Sequence, residues 1–104
     1  LVPATEGWVA TVDGAVDATL ALAPGWVDLL YVVPGAQGRG IGSALVRVAL
    51  QRQSDEGWDS LQLWTFQVND RARAFYARHG FREVELTDGA TNEEHEPDVR
   101  LLRP

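Results

Sequence analysis

The chain has no cysteine, no lysine, and only two histidines in 104 residues. Without cysteine there is no disulfide, no thiol nucleophile and no thiolate-type metal site. The histidines, His79 and His95, stand apart in the sequence, and two isolated imidazoles do not make a metal centre, so no metal is expected. Without lysine a P-loop is excluded, because its lysine must follow the last glycine. No apolar run approaches the roughly 20 residues of a membrane span, and nothing reads as a secretory leader. The expected protein is cytoplasmic, with no membrane partner. Its net charge is −6, and its basic residues are scattered arginines rather than a stripe, so a nucleic-acid partner is not expected. An acidic surface suits a basic acceptor such as an amine. What the chain does have is 45% hydrophobic residues, enough for the core of one small domain over residues 1–104. Leu1 is not an initiator methionine, so residues upstream of it are expected.

Strand signals come first. Residues 7–12 and 15–22 alternate, with Asp13-Gly14 between them as a hairpin turn, and Pro24-Gly25 marks a second turn before a third strand over 26–33. In that strand a period of two puts Trp26, Asp28, Leu30 and Val32 on one face and Val27, Leu29, Tyr31 and Val33 on the other. A helix is predicted over about 40–54, because Ile41, Ala44, Leu45, Val48 and Ala49 recur at helical spacing on one face. A fourth strand comes next, over 61–68. Asn69-Asp70 caps a second helix over 71–78, which Gly80 ends. Strands over 81–87 and 99–102 flank a polar loop, 88–97, that carries Glu93, Glu94 and Glu96. The order is βββ-α-β-α-ββ, an α+β (α/β) domain on one mixed sheet, without repeats or linkers.

The stretch around which the rest is organised is Gln37-Gly38-Arg39-Gly40-Ile41-Gly42, between the third strand and the first helix. Its glycines leave the backbone bare, and unpaired N–H groups at a helix start, together with the helix dipole, make an anion site that Arg39 would reinforce. It is otherwise a plain strand-to-helix turn. A dinucleotide fingerprint does not fit: from Gly38 it needs Gly or Ala where Ser43 stands, and from Gly40 it meets Leu45. The pattern Gln/Arg-x-x-Gly-x-Gly/Ala does fit, and it resembles the coenzyme A pyrophosphate loop of the GCN5-related N-acetyltransferase (GNAT) superfamily. A second motif agrees with it. Residues 63–81, LWTFQVNDRARAFYARHGF, carry a strand, Asn69, Ala72, Phe75-Tyr76 and Gly80-Phe81 in the order and spacing recurrent in that family.

The resemblance implies the GNAT fold and acetyl-CoA, or another acyl-CoA, as co-substrate. Carried over by position, the backbone of Leu30, Tyr31 and Val32 would hold the pantetheine arm as an added strand does. Gln37, Gly38, Arg39, Gly40, Ile41 and Gly42 would hold the pyrophosphate. Asn69 would hydrogen-bond near the pantetheine or where the strands splay apart, and Tyr76 would reach the thioester sulfur as the acid for the leaving thiolate. The structural alternative for Tyr76 is a core aromatic on a helix face. The positions at which many family members place a base are Trp26 and Trp64 here, and neither side chain can accept a proton. Asp28 is the candidate base, or else a structural strand residue. Glu93, Glu94 and Glu96 either border the acceptor site or form a solvated loop. The chain starts at about the family's second strand, so the usual N-terminal strand and helices are expected to lie outside it. Trp8, Trp26, Trp58 and Trp64 either pack in the core or cover surface left by that difference, and a homodimer is expected. The resulting expectation is an N-acetyltransferase acting on an amine. The alternative is a module that binds acyl-CoA or CoA without turnover, or a subunit completed by a partner.

Overall fold

The computed structural model describes residues 6–12, 15–36 and 40–104, with 6–12, 15–17 and 36 as backbone alone. Among them the order is β1 (Glu6–Val12), β2 (Ala15–Ala23), β3 (Trp26–Val32), a 3-10 turn (Pro34–Ala36), α1 (Ile41–Glu56), β4 (Leu61–Phe66), α2 (Asp70–Arg78), β5 (Arg82–Leu86) and β6 (Asp98–Arg103). This is the expected order, with ends that move by one or two residues. The chain divides into two compact units, Leu1–Asp59 and Ser60–Pro104.

In the first unit β1, β2 and β3 pair antiparallel. Val12 lies opposite Ala15, as a two-residue connection requires; Asp13-Gly14 itself lies outside the described residues. Ala23 lies opposite Trp26 across Pro24-Gly25. Proline fixes its φ and Gly25 takes a φ of 79°, the combination that a type II turn needs. The alternation predicted for β3 does not run through. Ala21 pairs with Leu29 but Leu22 pairs with Val27, so Asp28 is the extra residue of a β-bulge. One inserted residue reverses the facing of the residues after it. Val27 is buried, Asp28 and Leu29 are exposed in succession, and Leu30 and Val32 are half-buried.

Helix α1 packs on β2 and β3. Its buried residues are Leu45, Val46, Ala49 and Gln53, against Ala18, Leu20, Leu22 and Val27 from the strands. The face is rotated from the predicted one: Ala44 is exposed and Ile41 and Val48 are half-buried. Gln53 occupies a core position because its amide Nε2 donates to the Trp58 carbonyl at 3.3 Å, which removes the cost of burying it bare. The helix ends in a Schellman motif. Gly57 takes a φ of 70°, and the N–H groups of Gly57 and Trp58 return to the carbonyls of Ser54 and Gln53.

In the second unit the strands lie in the order β4-β6-β5, all antiparallel. Leu63 opposite Leu101 and Thr65 opposite Val99 define the packed face, where Leu61, Leu63, Val99 and Leu101 join Tyr76 and Phe81 in a core. The other face of β4 carries Trp64 and Phe66, both exposed, so Trp64 is not a core residue. All of β5 is exposed, and a bulge at Val84 interrupts its pairing with β6. An edge strand that is bulged and carries Arg82, Glu83 and Glu85 is a poor template for unwanted pairing.

Candidate active site

The first set of predicted site residues lies where β3 gives way to α1. Leu30, Tyr31 and Val32 are the last residues of β3, opposite Leu20, Thr19 and Ala18 of β2. Gln37, Gly38 and Arg39 lie outside the described residues. Gly40 is the N-cap of α1 with φ 76° and ψ 8°, the left-handed conformation that a residue with a Cβ adopts only with strain. Its carbonyl accepts the first helical hydrogen bond, from the Ala44 N–H at 3.0 Å. A cap glycine has no side chain to accept from the first turn, and that turn holds no acidic residue. The N–H groups of Ile41 and Gly42 precede the first internal helical bond, so the helix start presents donors and a positive dipole end. Among the described residues, a Cβ built on Gly40 would meet no heavy atom within 4 Å. The glycine is therefore required by the backbone conformation rather than by crowding. A phosphate is a ligand that such a helix start can take.

Asp28 projects from the β3 bulge as an exposed residue. The bulge reverses Leu30 and Val32, which the strand alternation places on one face with Trp26 and Asp28.

The second set is carried by the turn from β4 into α2. Asn69 is the N-cap: its Oδ1 accepts from the Ala72 N–H at 3.1 Å, and its carbonyl accepts from the Arg73 N–H at 3.1 Å. A capping oxygen engaged in this way leaves the Nδ2 of an exposed residue as the group that can reach a ligand. Asp70 in the first turn and Arg78 in the last complement the helix dipole. The C-terminus is a second Schellman motif. Gly80 takes a φ of 87°, and the N–H groups of Gly80 and Phe81 return to the carbonyls of Ala77 and Tyr76. Arg103 of β6 adds a bond from its Nε to the His79 carbonyl at 2.9 Å.

Tyr76 is buried, 8% exposed, with its ring edge-on to Phe75 at 5.1 Å and to Phe81 at 5.4 Å. The ring therefore belongs to the core. Burial pushes the phenol up to about 12. The hydroxyl is protonated throughout the neutral range, and it is a weaker acid than a free tyrosine of about 10. Against a thiol of about 8.5, full proton transfer is uphill, so toward a developing thiolate this hydroxyl can act chiefly as a hydrogen-bond donor.

The loop after β5 is more ordered than its polar composition implies. Thr87 Oγ1 bonds the Asp98 carboxylate, and the Gly89 N–H returns to Thr87 Oγ1 at 3.1 Å. Asn92 donates from Nδ2 to the Glu96 carbonyl at 2.8 Å and accepts at Oδ1 from the Glu96 N–H at 3.2 Å. Glu93 and Glu94 are exposed, while Glu96 is half-buried. Gln67 closes the loop: its Nε2 donates to the Thr87 and Asp98 carbonyls at 2.8 and 3.0 Å, and its N–H donates to the Pro97 carbonyl. Nothing in the sequence singles out Gln67, because its partners are backbone groups 20 and 31 residues away.

The family model of the acetyltransferase (GNAT) domain matches residues 3–83. A mycothiol acetyltransferase of Beutenbergia cavernae is 43% identical over 77 residues, which is 69% of this chain and 26% of that protein. An uncharacterized N-acetyltransferase of Mycobacterium tuberculosis is 34% identical over 76 residues, covering 71% of this chain and 47% of that one. The chain thus spans between a quarter and a half of the length of these relatives. Among solved structures, a nourseothricin acetyltransferase superposes with a TM-score of 0.88 at 25% identity, covering 98% of this chain and 66% of the other. The fold is therefore the acyl-CoA N-acyltransferase fold, and the chain belongs to the GNAT acetyltransferase domain family.

Proposed function

We propose that the 104 residues act as one acyl-CoA-binding domain of an N-acetyltransferase that moves an acetyl group from acetyl-CoA to a primary amine by direct attack on the thioester. The observation that carries this reading is the start of α1, where a left-handed Gly40 stands at the head of a helix with no acid in its first turn. Acetyl-CoA supplies the activated carbonyl and a thiolate that leaves as the amine adds. Gln37 to Gly42 bind the pyrophosphate through backbone N–H groups and the Arg39 guanidinium. The β3 backbone at Leu30, Tyr31 and Val32 aligns the pantetheine. A β3 N–H near Val32 meets the negative charge that gathers on the carbonyl oxygen. Asn69 adds its Nδ2, Tyr76 donates its hydroxyl to the departing sulfur, and Asp28 takes the proton of the amine. The exposed Trp64, Phe66 and Val68 support pairing of two copies, and a monomeric elution at micromolar protein would count against that.

A thermal melt with acetyl-CoA tests the binding step. At ten times its dissociation constant the ligand should add about 1.4 kcal/mol, or roughly 6–11 °C for a domain of this size. Gly40→Glu places a carboxylate at that helix start and should abolish the shift, beyond any loss of midpoint in the free protein. An equal shift in both proteins would place the ligand elsewhere. Tyr76→Phe keeps the ring packing and removes only the hydroxyl, so kcat should fall about 10-fold, consistent with a hydrogen-bond donor rather than an obligatory acid. An unchanged kcat with every acceptor would remove Tyr76 from the chemistry.

A further inference from the structure

Resting on the role of Tyr76 as donor to the departing sulfur, we propose that Arg73 is the positioning residue that sets the turn of α2 from which the Tyr76 hydroxyl is presented. One guanidinium makes three bonds: Nη1 to the Gln67 carbonyl at 2.7 Å, Nε to Glu83 Oε2 at 2.6 Å and Nη2 to Glu83 Oε1 at 2.8 Å. The fork is planar, so two parallel bonds to one carboxylate and a third to a carbonyl fix its orientation as well as its distance. Both anchors are themselves held. Glu83 lies in β5, opposite Leu101 of β6, and Gln67 is tied to Thr87, Pro97 and Asp98 through its side chain and its N–H. Arg73 and Tyr76 are three residues apart and lie on adjacent turns of one helical face, so an anchor at the first fixes the rotation of the second.

Tyr76 needs such an anchor. Phe75 and Phe81 meet its ring edge-on, contacts that hold the ring but not the hydroxyl. Among the described residues no hydrogen bond holds its hydroxyl. A helix of nine residues is also too short to fix its own axis without tertiary contacts. The Asn69 cap and the Arg103 bond secure the two ends of α2, whereas Arg73 ties its middle to Glu83 of β5 and to the Gln67 carbonyl. The Arg73 and Glu83 side chains are partly exposed but joined as a bidentate pair, so its loss is read in rate and in melting together.

The test is a double-mutant cycle in the full chain, with thiol release from acetyl-CoA in the presence of spermidine, lysine or a peptide with a free N-terminus as the readout. Arg73→Gln should lower kcat about 10-fold while the acetyl-CoA KM stays within about twofold. In a Tyr76→Phe background the same substitution should cost nothing further, because the group it positions is gone. Arg73→Lys, which keeps the charge but not the fork, should recover only part of the rate. Melts of all the variants beside the wild type record folding separately. Equal fold losses in both backgrounds, or an unchanged kcat in Arg73→Gln, would overturn the positioning role while leaving the acetyltransferase reading intact. No turnover by the wild type with any of the three amines would overturn that reading, and this role with it.

Discussion

Gly89→Ala is expected to lower stability by roughly 2–5 kcal/mol, the sum of a left-handed backbone penalty and a steric overlap. Gly89 is buried and takes a φ of 78°. A Cβ there would lie 2.7 Å from the Glu96 nitrogen, and closer still to its carbonyl carbon and oxygen. These are backbone atoms of a segment pinned by Asn92 and by the Thr87–Asp98 bond, so they cannot swing aside as a side chain end would. Gly57→Ala is the control. Gly57 has a φ of 70° with nothing within 4 Å, so it carries the backbone penalty alone, about 1–2 kcal/mol. Chemical denaturation of the two variants beside the wild type separates the contributions. Equal losses would mean that the loop yields to the added methyl and is not the tight unit described.

The second large effect is alkaline. Burial raises Tyr76 from 10.0 to about 12, so the folded protein holds a proton that the unfolded chain releases near pH 10. A raised pKa of this kind stabilises fully below the unfolded value and is lost as pH rises through the folded one. Stability should therefore fall by about 2–3 kcal/mol between pH 10 and pH 12, at 1.36 kcal/mol per unit. The sequence helps to isolate the effect, because no lysine titrates in that interval and arginine keeps its proton. Tyr76→Phe should flatten this part of the pH profile while retaining the contacts with Phe75 and Phe81. A decline of the same size in that variant would assign the effect to other groups.

Much of the fold is legible in the sequence because local signals and tertiary demands agree. Asp13-Gly14 and Pro24-Gly25 fit the observed pairing of Val12 with Ala15 and of Ala23 with Trp26. Asn69 and Gly80 mark the two ends of α2, and Gly40 and Gly57 take the left-handed conformations that flank α1. Features that depend on distant partners or on one inserted residue are not legible. The β3 bulge has no compositional mark, so a strict alternation misplaces Leu30 and Val32 relative to Trp26 and Asp28. Gln53 reads as a surface residue until Trp58 supplies an acceptor. The polar loop of 88–97 hides a buried glycine and a set of Asx-type bonds that composition cannot distinguish from a solvated acidic segment. Arg73 and Glu83 stand ten residues apart on a helix and a strand, a spacing no periodicity detects. Trp64 illustrates the converse: a large aromatic in a strand is expected in the core, but Leu61 and Leu63 take that face and leave it exposed.

The most direct measurement of acetyl transfer is the fate of the acetyl group when the full chain is mixed with acetyl-CoA and each of a series of amines. The predicted result is release of free thiol that depends on the amine, matched mole for mole by acetylated amine in the mass spectrum. Binding of acetyl-CoA in the melt, without acetylated product from any amine, would contradict transfer and identify the domain as one that holds acyl-CoA without turning it over.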